Sequence, residues 1–186
     1  MNDTLKNIEA RFSCRDFTNQ PVSDEQIHAI TQAALQSPSG MNRQLWQVIV
    51  IRNSDLIAEM EAEGIRTLAQ INPALHQHIM SRNKGLFYNA SCMILFAIKP
   101  AQPAGAELID LGIIAQTTVL AATSLELASL HCGMAAFAFA GEKAGYFKKR
   151  LAFPDGYECG MAVLLGHAQK PGFPHAPDQT KITYID

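Results

Sequence analysis

Residues 37–52 read SPSGMNRQLWQVIVIR. The second half, WQVIVIR (46–52), is rich in β-branched residues and predicts a strand. The first half is harder to place. A helix-to-strand joint that about four residues can make runs here from Ser37 to Leu45, on small residues, an amide and an arginine, and ends at the chain's single tryptophan. Small residues at Ser37, Ser39 and Gly40 let backbone N–H groups approach a ligand, and Asn42 offers both a donor and an acceptor to a planar heterocycle. The plainer reading is a helix cap and loop, with Gly40 supplying a positive φ and Trp46 filling the core.

Upstream, SDEQIHAITQAALQ (23–36) predicts a helix. Ser23 is placed to cap it, Gln26 to reach back from the third position, and Ile27, Ile30 and Ala34 to form its buried stripe. A shorter helix is expected over 3–10. Downstream, residues 54–84 read as helix broken at Pro73. CMILFAI (92–98) reads as a second strand and GMAVLLG (160–166) as a third, with a short helix over 141–152 stopped by the turn residues Pro154, Asp155 and Gly156. The tail, from residue 167 to 186, carries three prolines and ends in a strand-like ITYI. A tail this long is expected to lie on something.

The longest apolar run is LIDLGIIAQTTVLAATSLELASL (108–130). Only fifteen residues separate Asp110 from Glu126, and a spanning helix needs about 20 mostly apolar residues, so a membrane span is not expected. Leu108, Leu111, Ile113, Ile114, Val119, Leu120, Leu125 and Leu127 go right round the helix, which predicts burial on all sides and a subunit interface.

These elements do not alternate as a doubly wound fold requires, so the expected class is α+β, a small sheet flanked by helices. The 186 residues, 48% hydrophobic and 17% charged, fit one globular domain. A net charge of −2 supplies no basic field for nucleic acid or an anionic membrane. The N-terminus lacks the pattern of a signal peptide, and Cys14, Cys92, Cys132 and Cys159 are too scattered for a disulfide framework or a zinc site, so a cytoplasmic location is expected. His76 and His78, two apart in a helix, point to different sides and read as surface residues. Cys132 reads as a small core residue.

The sharpest chemical pattern lies near the N-terminus, in RFSCRDF (11–17). In an extended segment Arg11, Ser13 and Arg15 share one face, with Phe12 and Cys14 on the other. Two guanidiniums flanking a hydroxyl clamp an anion well, although the same triplet serves as a charged, aggregation-resistant edge.

R-x-S-x-R, then PVSDEQI opening a helix that leads into SPSGxNxQxW and a strand, resembles the FMN-dependent nitroreductase family. FYNASCMILFAI, DLGIIAQTTVLAATSLEL and FPDGYECGMAVLLGH extend the resemblance over essentially the whole chain. It implies an α+β nitroreductase-like fold, with a mostly antiparallel sheet and a long central helix at a dimer interface. It further implies a single FMN-binding domain over 1–186, with 167–186 packing on the partner of a homodimer.

By the same resemblance, Arg11 and Ser13 bind the FMN phosphate, Phe12 lies within the same motif, and Arg15 faces the pyrimidine edge of the flavin. Pro38, Ser39, Gly40 and Asn42 meet the flavin from the partner subunit. Met134, Ala135 and Ala136 are the candidates for a backbone amide toward flavin N5, and His175 and Lys181 for a C-terminal group closing on the phosphate. The implied activity is ping-pong hydride transfer from NADH or NADPH through FMN to a small-molecule electron acceptor such as a nitroaromatic or quinone. The alternatives are an FMN carrier or sensor without efficient turnover, and a flavin-free interaction domain. The family often has G-L-G after its central helix; placed at Ser129, Leu130 and His131, that departure, with His175 in place of arginine, predicts a loosened grip on the cofactor.

Overall fold

The structure is a computed structural model that describes residues 2–101 and 104–185. In chain order its elements are α1 (Asp3–Ala10), α2 (Asp24–Leu35), β1 (Trp46–Ile51), α3 (Ser54–Ile71), α4 (Pro73–Met80), β2 (Cys92–Ile98), α5 (Ala106–Ser124), β3 (Ala128–Cys132), α6 (Ala144–Arg150) and β4 (Glu158–Gly166). Short 3₁₀ turns lie at Gly40–Asn42, Gly133–Phe139 and Gln179–Lys181.

The four strands form one sheet in the order β1-β2-β4-β3, every neighbouring pair antiparallel. All seven residues of β2 are buried, because alternation sends them into two separate cores. Met93 and Leu95 join Leu130, Leu164, Met60 and Leu68 on the α3 side. Ile94, Phe96 and Ile98 join Trp46, Val163, Ile30 and Ile114 on the side of α2 and α5. The expected α+β class is therefore the observed one.

The caps fall where the sequence put them. Ser23 Oγ accepts from Gln26 N (3.2 Å) and Gln26 Oε1 from Ser23 N (3.1 Å), a reciprocal capping box. Pro73 does not kink a helix; it begins one. Asn72 N–H ends α3 on Leu68 O (2.8 Å) while its side chain accepts from Leu75 N (3.0 Å) to start α4.

Four expectations need correction. First, residues 128–132 form a strand, β3, where the apolar run predicts continuous helix. Helix α5 stops at Ser124, and the residue that turns the chain is Glu126 in the left-handed region (φ 60). The residues directly following the helix are thus 125–127, and Ser129, Leu130 and His131 lie in regular strand. Second, α5 is not buried on all sides of one chain. Leu111, Ile114, Ala115, Val119 and Ala122 are buried, but Leu108 is 58% and Ile109 69% exposed, and Gln116 on the same face is exposed too.

Third, the positive φ values of the 37–45 loop belong to Met41 (56), Asn42 (54) and Gln44 (48), not to Gly40. Fourth, ITYI forms no strand among the described residues; Ile182, Tyr184 and Ile185 are exposed. The first part of the tail does lie on its own chain. Thr18 N–H donates to His167 O (2.8 Å), Gln169 N–H to Asp16 O (2.9 Å), and Gly172 sits so close to the Phe12 ring that a Cβ would fall 2.0 Å from it.

Candidate functional site

The RFSCR segment extends the sheet beyond β3. Ser13 bridges Ser129 in parallel fashion, and Cys14 N–H donates to Ser129 O (2.9 Å). Pairing fixes the alternation: Cys14 is buried and Phe12 half-buried, while Ser13 and Arg15 are exposed and Arg11 half-buried. Arg11 Nη1 lies 3.4 Å from Ser13 Oγ and Arg15 Nη1 3.4 Å from Ser13 O. Among the described residues neither guanidinium has a carboxylate partner within ion-pair distance. Two uncompensated guanidiniums around one hydroxyl form a donor set that fits a phosphate ester.

Arg15 opens onto a cleft of about 350 Å³. His131, Gly133 and Met134 line it on the same side. Burial, first, and then the positive charge of Arg11 hold the His131 imidazole below its usual pKa; a hydrogen bond with the Ala115 backbone offsets part of this. Cys132 is buried, its thiol pushed up to about 11 by burial, while the N–H groups of Ala135 and Met134 face the sulfur and pull the other way. That makes it a core thiol rather than a nucleophile.

Of the three amide candidates, Met134 reaches the cleft, Ala135 is fully buried and Ala136 half-buried. The turn that carries them is pressed against α3, and the clamp at its far end is Glu63. Its buried carboxylate accepts from Arg66 Nε (3.0 Å), Arg66 Nη2 (2.8 Å) and Lys143 N (3.3 Å), and the Arg66 guanidinium holds it below the usual carboxylate range. Gly141 passes so close that a Cβ would fall 2.2 Å from Thr67 Oγ1.

Pro38, Ser39, Gly40 and Asn42 stand elsewhere. Their loop enters β1 at one edge of the sheet, whereas Arg11, Ser13 and Arg15 lie beyond β3 at the other. Three strand spacings, roughly 14 Å, separate the edges. The loop is braced within its own chain: Gln44 N–H donates to Ser39 Oγ (2.9 Å) and Gly40 N–H to Asp110 Oδ1 (3.0 Å), while Trp46 is buried in the core. His175 and Lys181 are exposed on the tail, Lys181 lying 3.9 Å from Asp178 Oδ2. The chain therefore gathers Arg11, Ser13, Arg15 and Met134, and leaves the 38–42 loop apart.

Residues that the sequence did not mark complete the cleft. His78, Arg82 and Tyr88 form its opposite wall. Two signals pointed there: the helix break at Pro73, which starts α4, and the arginine one turn after His78.

Residues 129–131 belong to regular strand β3, and the Ser129 carbonyl docks the RFSCR segment.

The model of the nitroreductase family matches residues 8–167. A nitroreductase from Desulfitobacterium hafniense DCB-2, solved with bound FMN, is 52% identical to this chain, with a TM-score of 0.95 and 100% of both chains covered. A second, from Bacteroides fragilis NCTC 9343 and also with bound FMN, is 21% identical at a TM-score of 0.89 over 100% of both chains, a likeness of fold. Among curated proteins, the NADPH-flavin oxidoreductase of Vibrio harveyi is 28% identical over 167 residues, 90% of this chain and 66% of that protein. The matched stretches span between 22% and 66% of the length of the curated relatives.

Proposed function

This chain belongs to the nitroreductase family, and from that premise we propose that it is an FMN-dependent oxidoreductase that takes electrons from NADH or NADPH and reduces electron-poor acceptors such as nitroaromatics and quinones. The observation that carries the reading is the pair of uncompensated guanidiniums, Arg11 and Arg15, flanking Ser13 on a segment docked to β3. FMN, when bound, supplies the hydride chemistry. The chain's own part is to hold and orient.

Arg11 and Ser13 bind the phosphate ester by charge-assisted hydrogen bonds. Arg15, between that face and the cleft, places positive charge beside the ring system, where it favours an anionic reduced state. The backbone at Met134, held by the Glu63 clamp, presents a wall to the ring. Nothing in these roles requires a side chain to act as acid or base, which suits a ping-pong sequence in which donor and acceptor use one cleft in turn.

The molecule acts as a homodimer in this reading. The separation of the 38–42 loop from the Arg11–Arg15 segment supports a site shared by two chains, and the exposed Leu108 and Ile109 on α5, with Gln116 beside them, supply a face for the partner. The exposed tail from Phe173 to Ile185, with His175 and Lys181, packs on the partner in the same arrangement. The 52% identical protein of the same length class, solved with FMN, supports the cofactor assignment.

Anaerobic titration of the purified protein tests the proposal. A yellow protein that bleaches on adding NADH or NADPH and recovers its colour with a nitroaromatic is the expected result. Yellow protein that does not bleach is a carrier, and colourless protein that takes up no added FMN removes the flavin altogether.

A further inference from the structure

The wall of the cleft opposite Arg15 belongs to α4 and the loop after it, and the cofactor roles assigned above use none of its residues. Leu75, Ile79 and Tyr88 make an apolar floor, while His78 and Arg82 stand at its rim. Arg82 Nη2 donates to His78 Nε2 at 2.6 Å, which makes Nε2 the acceptor and pins an otherwise mobile guanidinium over the opening.

The charge is one-sided. No aspartate or glutamate lines the cleft, and among the described residues neither Arg15 nor Arg82 has an acidic partner. The nearby acids are engaged: Asp16 with Lys84 at 2.7 Å, and Glu61 with the N–H groups of Leu86 and Phe87 at 2.6 Å each. Two like charges facing one cleft repel each other, and an anion between them relieves that repulsion. The volume, about 350 Å³, is at the small end of ligand pockets. An apolar floor with cations at the rim suits a planar ring carrying an acidic group.

We propose that Arg82, oriented by His78, is a specificity-determining residue that selects electron acceptors bearing a carboxylate on an aromatic ring. This rests on the oxidoreductase reading above, and it assigns a purpose to the helical excursion between β1 and β2.

The test uses FMN-loaded protein with 4-nitrobenzoate and nitrobenzene as paired acceptors at fixed NADH. Wild type is expected to show the lower KM for 4-nitrobenzoate. Arg82→Gln should raise the ratio of the 4-nitrobenzoate KM to the nitrobenzene KM about tenfold, in line with the loss of one charge-assisted hydrogen bond, and Arg82→Lys should restore part of it.

Benzoate, which has no nitro group, gives a readout without turnover. Calorimetric titration should show saturable binding that weakens with salt and is lost in Arg82→Gln. Benzoate binding unchanged in Arg82→Gln overturns the proposal, as does an unchanged KM ratio. A variant that loses FMN moves Arg82 to the cofactor, and one that changes only the KM for NADPH moves the anion to the donor's phosphate; either overturns the assignment to the acceptor. Arg82-dependent benzoate binding in a protein that reduces no acceptor sinks the proposed function and leaves the anion site standing, whereas reduction indifferent to Arg82 does the reverse.

Discussion

The backbone N–H of Gly40 donates to Asp110 Oδ1 at 3.0 Å, so the loop between α2 and β1 is anchored to the first turns of α5, 70 residues further along the chain. Asp110 is 5% exposed, and its Oδ2 has no hydrogen-bond partner among the described residues. A buried carboxylate so placed contributes through the bond it makes, because removing it unties the loop from α5. Asp110→Ala should therefore lower stability by roughly 1.5–3 kcal/mol, about 3–12 °C in Tm for a chain of this size. It should also weaken FMN binding through the loosened loop. Asp110→Asn keeps an acceptor oxygen and should cost less. Equal losses in the two variants would show that the contact with Gly40 is not what Asp110 provides.

Arg15 stands between the Arg11–Ser13 face and the cleft and, among the described residues, has no competing carboxylate within ion-pair distance. Arg15→Ala should raise the dissociation constant of FMN about tenfold or more, the range of a charge-assisted hydrogen bond. The effect should shrink at high salt. Fluorescence titration of the apoprotein measures it, and an unchanged constant would take Arg15 out of the cofactor site.

The exposed face of α5 makes a sharper probe of assembly than its buried face. Val119 is 1% exposed in the chain's own core, so a charge there unfolds the protomer and reports nothing about assembly. Ile109, 69% exposed, is free of that confusion. Ile109→Glu should give a folded monomer by sedimentation, with a wild-type circular dichroism spectrum and weakened FMN binding. A dimer of wild-type affinity would place the interface elsewhere.

Glu61 holds the loop that brings Tyr88 to the cleft. One carboxylate oxygen takes the N–H groups of both Leu86 and Phe87, and the chain reaches it through left-handed residues at Asn83, Gly85, Tyr88 and Asn89. At Gly85 (φ 61) a Cβ would fall 2.5 Å from that oxygen, so only glycine fits. Glu61→Ala leaves two N–H groups without an acceptor and should cost about 2–3 kcal/mol, read as a fall in Tm or in the denaturant midpoint. A shift within experimental error would mean that water replaces the carboxylate at no cost.

Local patterns carried most of the architecture. The capping box at Ser23, the β-branched run at 46–51 and the all-apolar β2 each follow from interactions within a few residues. The alternation of Arg11, Ser13 and Arg15 was legible for the same reason, since period two needs only an extended backbone. β3 was not legible: ASLHC continues the apolar run of α5, and the turn between them rests on Glu126, a residue type that gives no sign of a left-handed conformation. The far wall of the cleft was hidden too, because His78 and Arg82 become neighbours of Arg15 only through tertiary packing. The exposed half of α5 follows a related rule. Hydrophobicity all round a helix says that each face is covered, but not whether by its own chain.

His131 makes the stability of the apoprotein sensitive to acid, and the sign follows from its surroundings. Burial and the neighbouring Arg11 charge hold its folded pKa below the ordinary value of 6.5. As pH falls below that value the unfolded chain takes up a proton that the native state refuses, so the contribution of neutral His131 is full above 6.5 and is lost on acidification. His131→Asn should flatten the decline of Tm between roughly pH 7 and 5. Parallel curves for wild type and His131→Asn would assign the acid sensitivity to other groups.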